Sequence, residues 1–148
     1  MATFVMQSLG CEVAAINTVQ LSTSFFSSLP EYILRIPGNH LGYGQAKGTR
    51  ATAAEITDLY QGLQDSFLDS FDMMLSGYLP GAASVEAVGA IARDLKYKAT
   101  MKPGSFFWVL DPVMGDNGKL YVAEDVVPAY KGLLKDADLI LPNQFEAE

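Results

Sequence analysis

The stretch that most constrains the fold is Phe106–Tyr121, FFWVLDPVMGDNGKLY. Large apolar residues run without interruption from Phe106 to Leu110 and then meet Asp111 and Pro112. A short continuous apolar run closed by a turn signal fits a strand covered on both faces, as in a parallel sheet. Proline has no N–H for a ladder, so the strand is predicted to stop at Asp111. This leaves a carboxylate at the C-terminal end of a central strand, where open α/β sheets bind their ligands. A second carboxylate, Asp116, follows in the glycine-rich turn Gly115-Asp116-Asn117-Gly118. Two readings of the pair stay open. One is a capped strand end with a solvated hairpin. The other is a site for Mg²⁺ and phosphate oxygens, because Mg²⁺ takes one or two carboxylates and fills its shell with substrate phosphates.

The rest of the chain supplies what such a strand needs. Residues 2–9 put Phe4, Val5 and Leu9 on one helical face, with Gly10 as the stop. Cys11–Val19 reads as a strand, and residues 39–48 as irregular chain or an edge strand. Residues 23–38 have aromatics and two prolines without a clean period, and no element is assigned to them. Thr52 and Glu55 form a capping-box pattern ahead of Ile56, Leu59, Tyr60 and Leu63, an apolar stripe that belongs in a core. Phe71–Leu75 is a second buried strand, with Tyr78 just past its end. Ser84 is the expected cap of a helix that buries Val85, Val88, Ile91, Ala92 and Leu95. Leu120–Val122 returns as a short strand or flap. Glu124 and Asp125 favour a helix start through the dipole, with Pro128 in its first turn and Tyr130, Leu133 and Leu134 facing inward. Asp138–Leu141 is the last strand, closed by Pro142, and Asn143 opens a helix. Strands alternating with amphipathic helices predict an α/β fold with a mainly parallel sheet.

Composition narrows the function classes. With 148 residues and 49% hydrophobic side chains, the chain has the length and apolar content of one domain. The net charge is −7, and no block of Lys or Arg occurs, which argues against a nucleic-acid partner. Anionic ligands would need local donors such as helix N-termini. One cysteine, Cys11, allows no internal disulfide and fits a reducing compartment; it is expected to be a small buried hydrophobe. No run is long enough to span a membrane, and the first residues lack a signal-peptide pattern, so no membrane partner is expected and the expected setting is the cytoplasm, with the nucleus as a second compartment.

Three stretches together resemble the pyridoxal kinases, members of the ribokinase-like α/β kinases. They are Asp111-Pro112-Val113-Met114-Gly115-Asp116, Leu120-Tyr121-Val122 leading into Glu124–Pro128, and Pro142-Asn143-Gln144-Phe145-Glu146-Ala147-Glu148. Upstream, Asn17-Thr18-Val19-Gln20 and Asn39-His40 with Gly42-Tyr43 fit the same family. The resemblance implies a three-layer ribokinase-like fold, with residues 1–148 forming one incomplete kinase domain and 23–38 an insert. It implies ATP-dependent phosphorylation of the 5′-hydroxyl of pyridoxal, pyridoxine or pyridoxamine, in salvage of pyridoxal 5′-phosphate. By that resemblance Asp111, Tyr121, Asn143, Gln144, Phe145 and Glu146 bind ATP. Asp111, Asp116 and Glu146 serve the metal, Mg²⁺ or another divalent ion, beside a monovalent cation, K⁺ or Na⁺. Tyr78 and Leu41 lie at the substrate, and full-length members are expected to be homodimers.

Departures from the family pattern are equally specific. Leu41 stands where the family has a Thr, and it cannot hydrogen-bond to pyridoxal; His40 beside it reads as structural. Leu141 replaces a Thr common before Pro-Asn-Gln-Phe-Glu. The family begins with a strand and a Ser-bearing loop that contacts pyridoxal, and this chain is expected to start after them, inside the following helix. Its catalytic base, the Asp of Gly-Thr-Gly-Asp, has no counterpart in the 148 residues. No catalytic residue is therefore assigned in this chain, and negligible turnover is expected from it alone. The alternatives are a hydroxymethylpyrimidine-type kinase, which shares Asp-Pro-Val-Met but usually has Pro where Phe145 stands, and a non-catalytic truncated isoform.

Overall fold

The computed structural model describes residues 2–23, 46–101 and 104–148. Its centre is a parallel sheet of three strands: β3 (Met73–Ser76), β4 (Phe107–Leu110) and β7 (Leu139–Ile140), with β4 in the middle. Met73 pairs with Phe107 and Val109 with Leu139, so the register is set by the apolar run that dominates the sequence. A separate antiparallel ribbon joins β1 (Val19–Thr23) to β2 (Ala46–Arg50). A tight hairpin, β5 (Gly115–Asp116) with β6 (Lys119–Leu120), follows β4.

Helices cover one face of the parallel sheet. α2 (Ala53–Asp65), α3 (Ala82–Lys98) and α4 (Val126–Leu133) share one apolar cluster with Trp108 and Leu110 of β4. Successive strand residues point to opposite faces. Trp108, Leu110 and Ser76 are accordingly buried, while Met73, Leu75, Phe107 and Leu139 of the other face are 59%, 41%, 42% and 45% exposed. The expectation that β4 is covered on both faces therefore holds for one face only among the described residues. Trp108 ties the three strands together: its Nε1–H donates to Ser76 Oγ of β3 at 2.9 Å, and its backbone N–H donates to Asp138 Oδ2, just before β7, at 2.8 Å.

Local chemistry explains most element boundaries. Thr52 caps α2 through a complete capping box with Glu55. α1 (Ala2–Ser8) ends at Gly10, whose φ of +86° is a glycine conformation, with Cys11 N–H reaching back to Met6 O at 3.1 Å. Pro128 sits in the first turn of α4, where it needs no partner for a missing N–H. Across the helices, Tyr60 Oη–H donates to Asp94 at 2.7 Å, and Lys98 pairs with Asp94 and with Asp69.

Several expectations are corrected. Residues 11–17 form no strand; the strand starts at Val19 because its partner, Ala46–Arg50, reaches only that far. α3 begins at Gly81, not Ser84: Gly81 takes extended backbone and accepts the first helical N–H groups, and Ser84 is buried in the first turn. β3 is displaced toward Ser76 by its pairing with β4. Leu59 and Leu134 lie at the edges of their stripes and are exposed, and Cys11 is exposed too. Thr23 closes β1, whereas the rest of the expected insert, His40 and Leu41 lie outside the described residues.

Candidate functional site

β4 stops at Leu110, one residue before Asp111. Asp111 N–H donates to Ser76 O at 2.8 Å, and Val113 N–H folds back on Asp111 O at 2.9 Å. This turn, enforced by Pro112, puts the half-buried Asp111 at the C-terminal end of the central strand.

α5 (Gln144–Ala147) begins beside it. Asn143 is the N-cap: its Oδ1 accepts Glu146 N–H at 3.0 Å, and Glu146 Oε2 accepts Asn143 N–H at 2.9 Å. The other Glu146 oxygen accepts Met114 N–H at 2.8 Å, with Gly115 N–H more distant at 3.5 Å. Asn143 Nδ2–H donates to Gly115 O at 2.8 Å. Phe145 presses on the same glycine, since a Cβ at Gly115 would stand 2.4 Å from Phe145 Cε1 and 2.5 Å from Lys119 O. A four-residue helix has no stability of its own. Its cap residues hold it against the β5–β6 hairpin instead.

Between these parts lies an open cleft of about 380 Å³, lined by Asp111, Val113, Tyr121, Leu141, Pro142, Asn143 and Glu146. No Lys or Arg is among these described lining residues. Burial pushes the Asp111 carboxyl above its ordinary range, and the charge of Glu146 adds to the shift. The Tyr121 phenol is raised by burial first and then by Glu146, Asp116 and Asp111. The cleft is thus electronegative, lined by oxygen donors, and suited to a hard cation. Among the described residues no three His, Cys, Asp or Glu side chains form a ready-made metal cluster. A Mg²⁺ here would therefore take a small number of carboxylates and complete its shell with phosphate and water oxygens.

The structure brings Asp111, Tyr121, Asn143 and Glu146 to one cleft. It leaves Gln144 outside the lining, exposed, with Nε2–H donating to Glu148 at 3.3 Å. Phe145 packs under the hairpin rather than lining the cleft. Asp116 is exposed and accepts the Asn117 N–H at 2.7 Å; it is near enough to raise the Tyr121 phenol but does not line the cleft either. Tyr78, past the end of β3, is half-buried, and its carbonyl accepts the Thr18 hydroxyl at 2.9 Å. Sequence reasoning missed the double use of Glu146 as cap and as hairpin anchor. The signal was present in Gly115, a glycine too closely approached to carry a side chain. A second, larger opening of about 570 Å³ beside β1, β2 and α2 has Arg50, Glu55 and Asp58 in its lining, but Glu55 is committed to the Thr52 cap.

A parallel sheet, a carboxylate at its central strand end, a hairpin beyond it and a capped helix start opposite define an α/β fold of the ribokinase-like kind. Within that class the resemblances are to one enzyme family. The chain is similar to human pyridoxal kinase, 36% identical over 152 residues that cover 99% of this chain and 42% of that protein. The pig pyridoxal kinase is 38% identical over 152 residues, covering 99% of this chain and 41% of that protein. Among solved structures, pyridoxal kinase from Leishmania donovani in complex with ADP and pyridoxamine superposes with a TM-score of 0.81 at 36% identity, over 99% of this chain and 45% of that one. No family model matches the chain. The chain spans about two-fifths of the length of the curated relatives it matches. Among the described residues no helix is long and apolar enough to cross a membrane.

Proposed function

We propose that this chain carries the nucleotide- and cation-binding side of a pyridoxal kinase, which transfers the γ-phosphoryl of ATP to the 5′-hydroxyl of a B6 vitamer. The observation that supports this most directly is the cleft at the end of β4, where Asp111 is held half-buried near the charge of Glu146 with no basic side chain in the lining. A bare polyphosphate would be repelled there; a nucleotide carried with Mg²⁺ would not. A bound Mg²⁺ supplies neutralisation of the phosphate charge. In this reading Asp111 holds that cation, with Asp116 and Glu146 as the further carboxylates proposed for it. Glu146 and Asn143 also fix the hairpin, so the Asn117–Tyr121 segment is anchored at its base and can cover a nucleotide and exclude water. A monovalent cation, K⁺ or Na⁺, would use the Leu141 carbonyl, since that side chain has no oxygen. Tyr78 and Leu41 are proposed for the vitamer side. Gln144 and Phe145 are proposed at the nucleotide through α5, and a homodimer in a cytoplasmic setting completes the reading.

The catalytic base is not assigned to any of the 148 residues. This polypeptide is therefore expected to bind without turning over; phosphorylation at about 1 s⁻¹ or faster by these residues alone would overturn that expectation. The family reading is tested by calorimetric titration of pyridoxine and of hydroxymethylpyrimidine in the presence of Mg²⁺ and ADP. Binding of pyridoxine alone supports it, and binding of hydroxymethylpyrimidine alone refutes it.

A further inference from the structure

Three successive carbonyls, from the last residue of β3 into the turn after it, are each held by a donor. Ser76 O accepts the Asp111 N–H at 2.8 Å, Gly77 O accepts the Tyr130 hydroxyl at 3.1 Å, and Tyr78 O accepts the Thr18 hydroxyl at 2.9 Å. The Ser76 side chain is held as well, by Trp108 Nε1–H at 2.9 Å. These donors come from separate parts of the chain: β4 and its end, α4, and the segment entering β1. A strand end beside a ligand cleft would ordinarily give such carbonyls to water. Here two side-chain hydroxyls replace water at consecutive residues. Tyr130 is 1% exposed, and burial first, then the charge of Asp111, push its phenol above the ordinary range, so it remains a donor throughout the physiological range. The nucleotide side is held by other contacts, those of Glu146, Asn143 and Phe145 with the hairpin.

We propose that Tyr130 and Thr18 are positioning residues for the vitamer side of the site: their hydroxyls fix the Gly77–Tyr78 backbone, and so fix where Tyr78 meets the substrate. Neither residue touches substrate. Their effect falls on vitamer affinity and not on nucleotide affinity. This rests on the pyridoxal kinase reading, and the two can fail separately.

The test is isothermal titration of pyridoxine and of Mg²⁺ with ADP into the unmodified protein and into Tyr130→Phe, Thr18→Val and a control, Tyr60→Phe. Tyr60 also loses a phenolic hydrogen bond, to Asp94, but between helices away from the turn. Loss of one hydroxyl-to-carbonyl bond at the turn should weaken pyridoxine about three- to tenfold. Nucleotide affinity should stay within about twofold, and the control should change neither. Amide exchange at Tyr78 and Leu79 should quicken in Tyr130→Phe and Thr18→Val alone. Unchanged pyridoxine affinity in both variants overturns the inference, as does equal weakening of both ligands. If the unmodified protein binds nucleotide but no pyridoxine, the pyridoxal kinase reading itself fails, before any variant is compared.

Discussion

Replacing Glu146 is the perturbation that separates the structural from the ligand-binding content of the site. In Glu146→Ala the Met114 N–H, bonded at 2.8 Å, and the Asn143 N–H, bonded at 2.9 Å, both lose their acceptor. Met114 is buried, so its amide is left without a partner at a cost of about 1–3 kcal/mol. Asn143 is exposed and water can replace its bond, so half of the capping box adds only about 0.5 kcal/mol. Relief of the repulsion with Asp111 returns part of this, leaving a net loss of about 1–3 kcal/mol. Glu146→Gln keeps one acceptor oxygen and most of the shape, and should lose about 1 kcal/mol or less. Urea unfolding followed by fluorescence of the single tryptophan, fully buried Trp108, measures both losses. In Glu146→Gln the Asp111 carboxyl should also move down toward its ordinary range, remaining raised by burial, which NMR titration of Asp111 reads directly. A loss below about 0.5 kcal/mol in Glu146→Ala, the range of an ordinary surface substitution, would refute the anchoring role. An unmoved Asp111 titration would refute the electrostatic coupling.

Gly115→Ala should be strongly disruptive for its size, because the new methyl meets both Phe145 and the Lys119 carbonyl and backbone cannot yield. A loss of about 1–3 kcal/mol in urea unfolding, with weaker nucleotide binding, is expected. The Tyr60 phenol is pushed up to about 12, by burial first and then by its hydrogen bond to Asp94. An unfolded-chain tyrosine ionises near pH ~10, so the unfolded state sheds this proton first. Tyr60 therefore contributes a stability that is whole below about pH 10 and declines toward pH 12; Tyr60→Phe should shrink that decline in pH-dependent unfolding. Asp138 behaves oppositely. Burial works against its charge, but the hydrogen bonds from Lys96 and from Trp108 N–H outweigh it and hold the carboxyl low. Its contribution is present above pH ~4 and fades as acid protonates it, so Asp138→Asn should flatten the acid limb.

The parts of this molecule that could be read from sequence are those where local chemistry and tertiary packing agree. The 106–112 run was legible because its apolar residues make a strand and Pro112 stops the ladder just past Asp111, and Thr52 with Glu55 announced α2 through a capping box that forms as written. Ser84 misled because a good cap residue also fits a buried first turn, and the Pro80-Gly81 pair upstream was the stronger stop. The strand read at Cys11–Val19 failed because pairing, not composition, decides where a ribbon starts, and the partner lies far along the chain. At the site, residue types were legible but their duties were not. Glu146 and Asn143 perform the ordinary capping roles with one side-chain atom and hold the hairpin with the other, which requires the β5–β6 turn to fold back on α5. The tyrosine and threonine that fasten Gly77 and Tyr78 are separated from that turn by 53 and 60 residues, and no local pattern points to them.

The most direct test of the nucleotide–cation reading is calorimetric titration of a non-hydrolysable ATP analogue, with Mg²⁺ and with the metal chelated, into the protein and into Asp111→Asn. An electronegative cleft without basic lining should bind the nucleotide at least about tenfold tighter with Mg²⁺, and Asp111→Asn should remove most of that difference. Equal affinity with and without Mg²⁺, or a Mg²⁺ dependence that survives in Asp111→Asn, would contradict it.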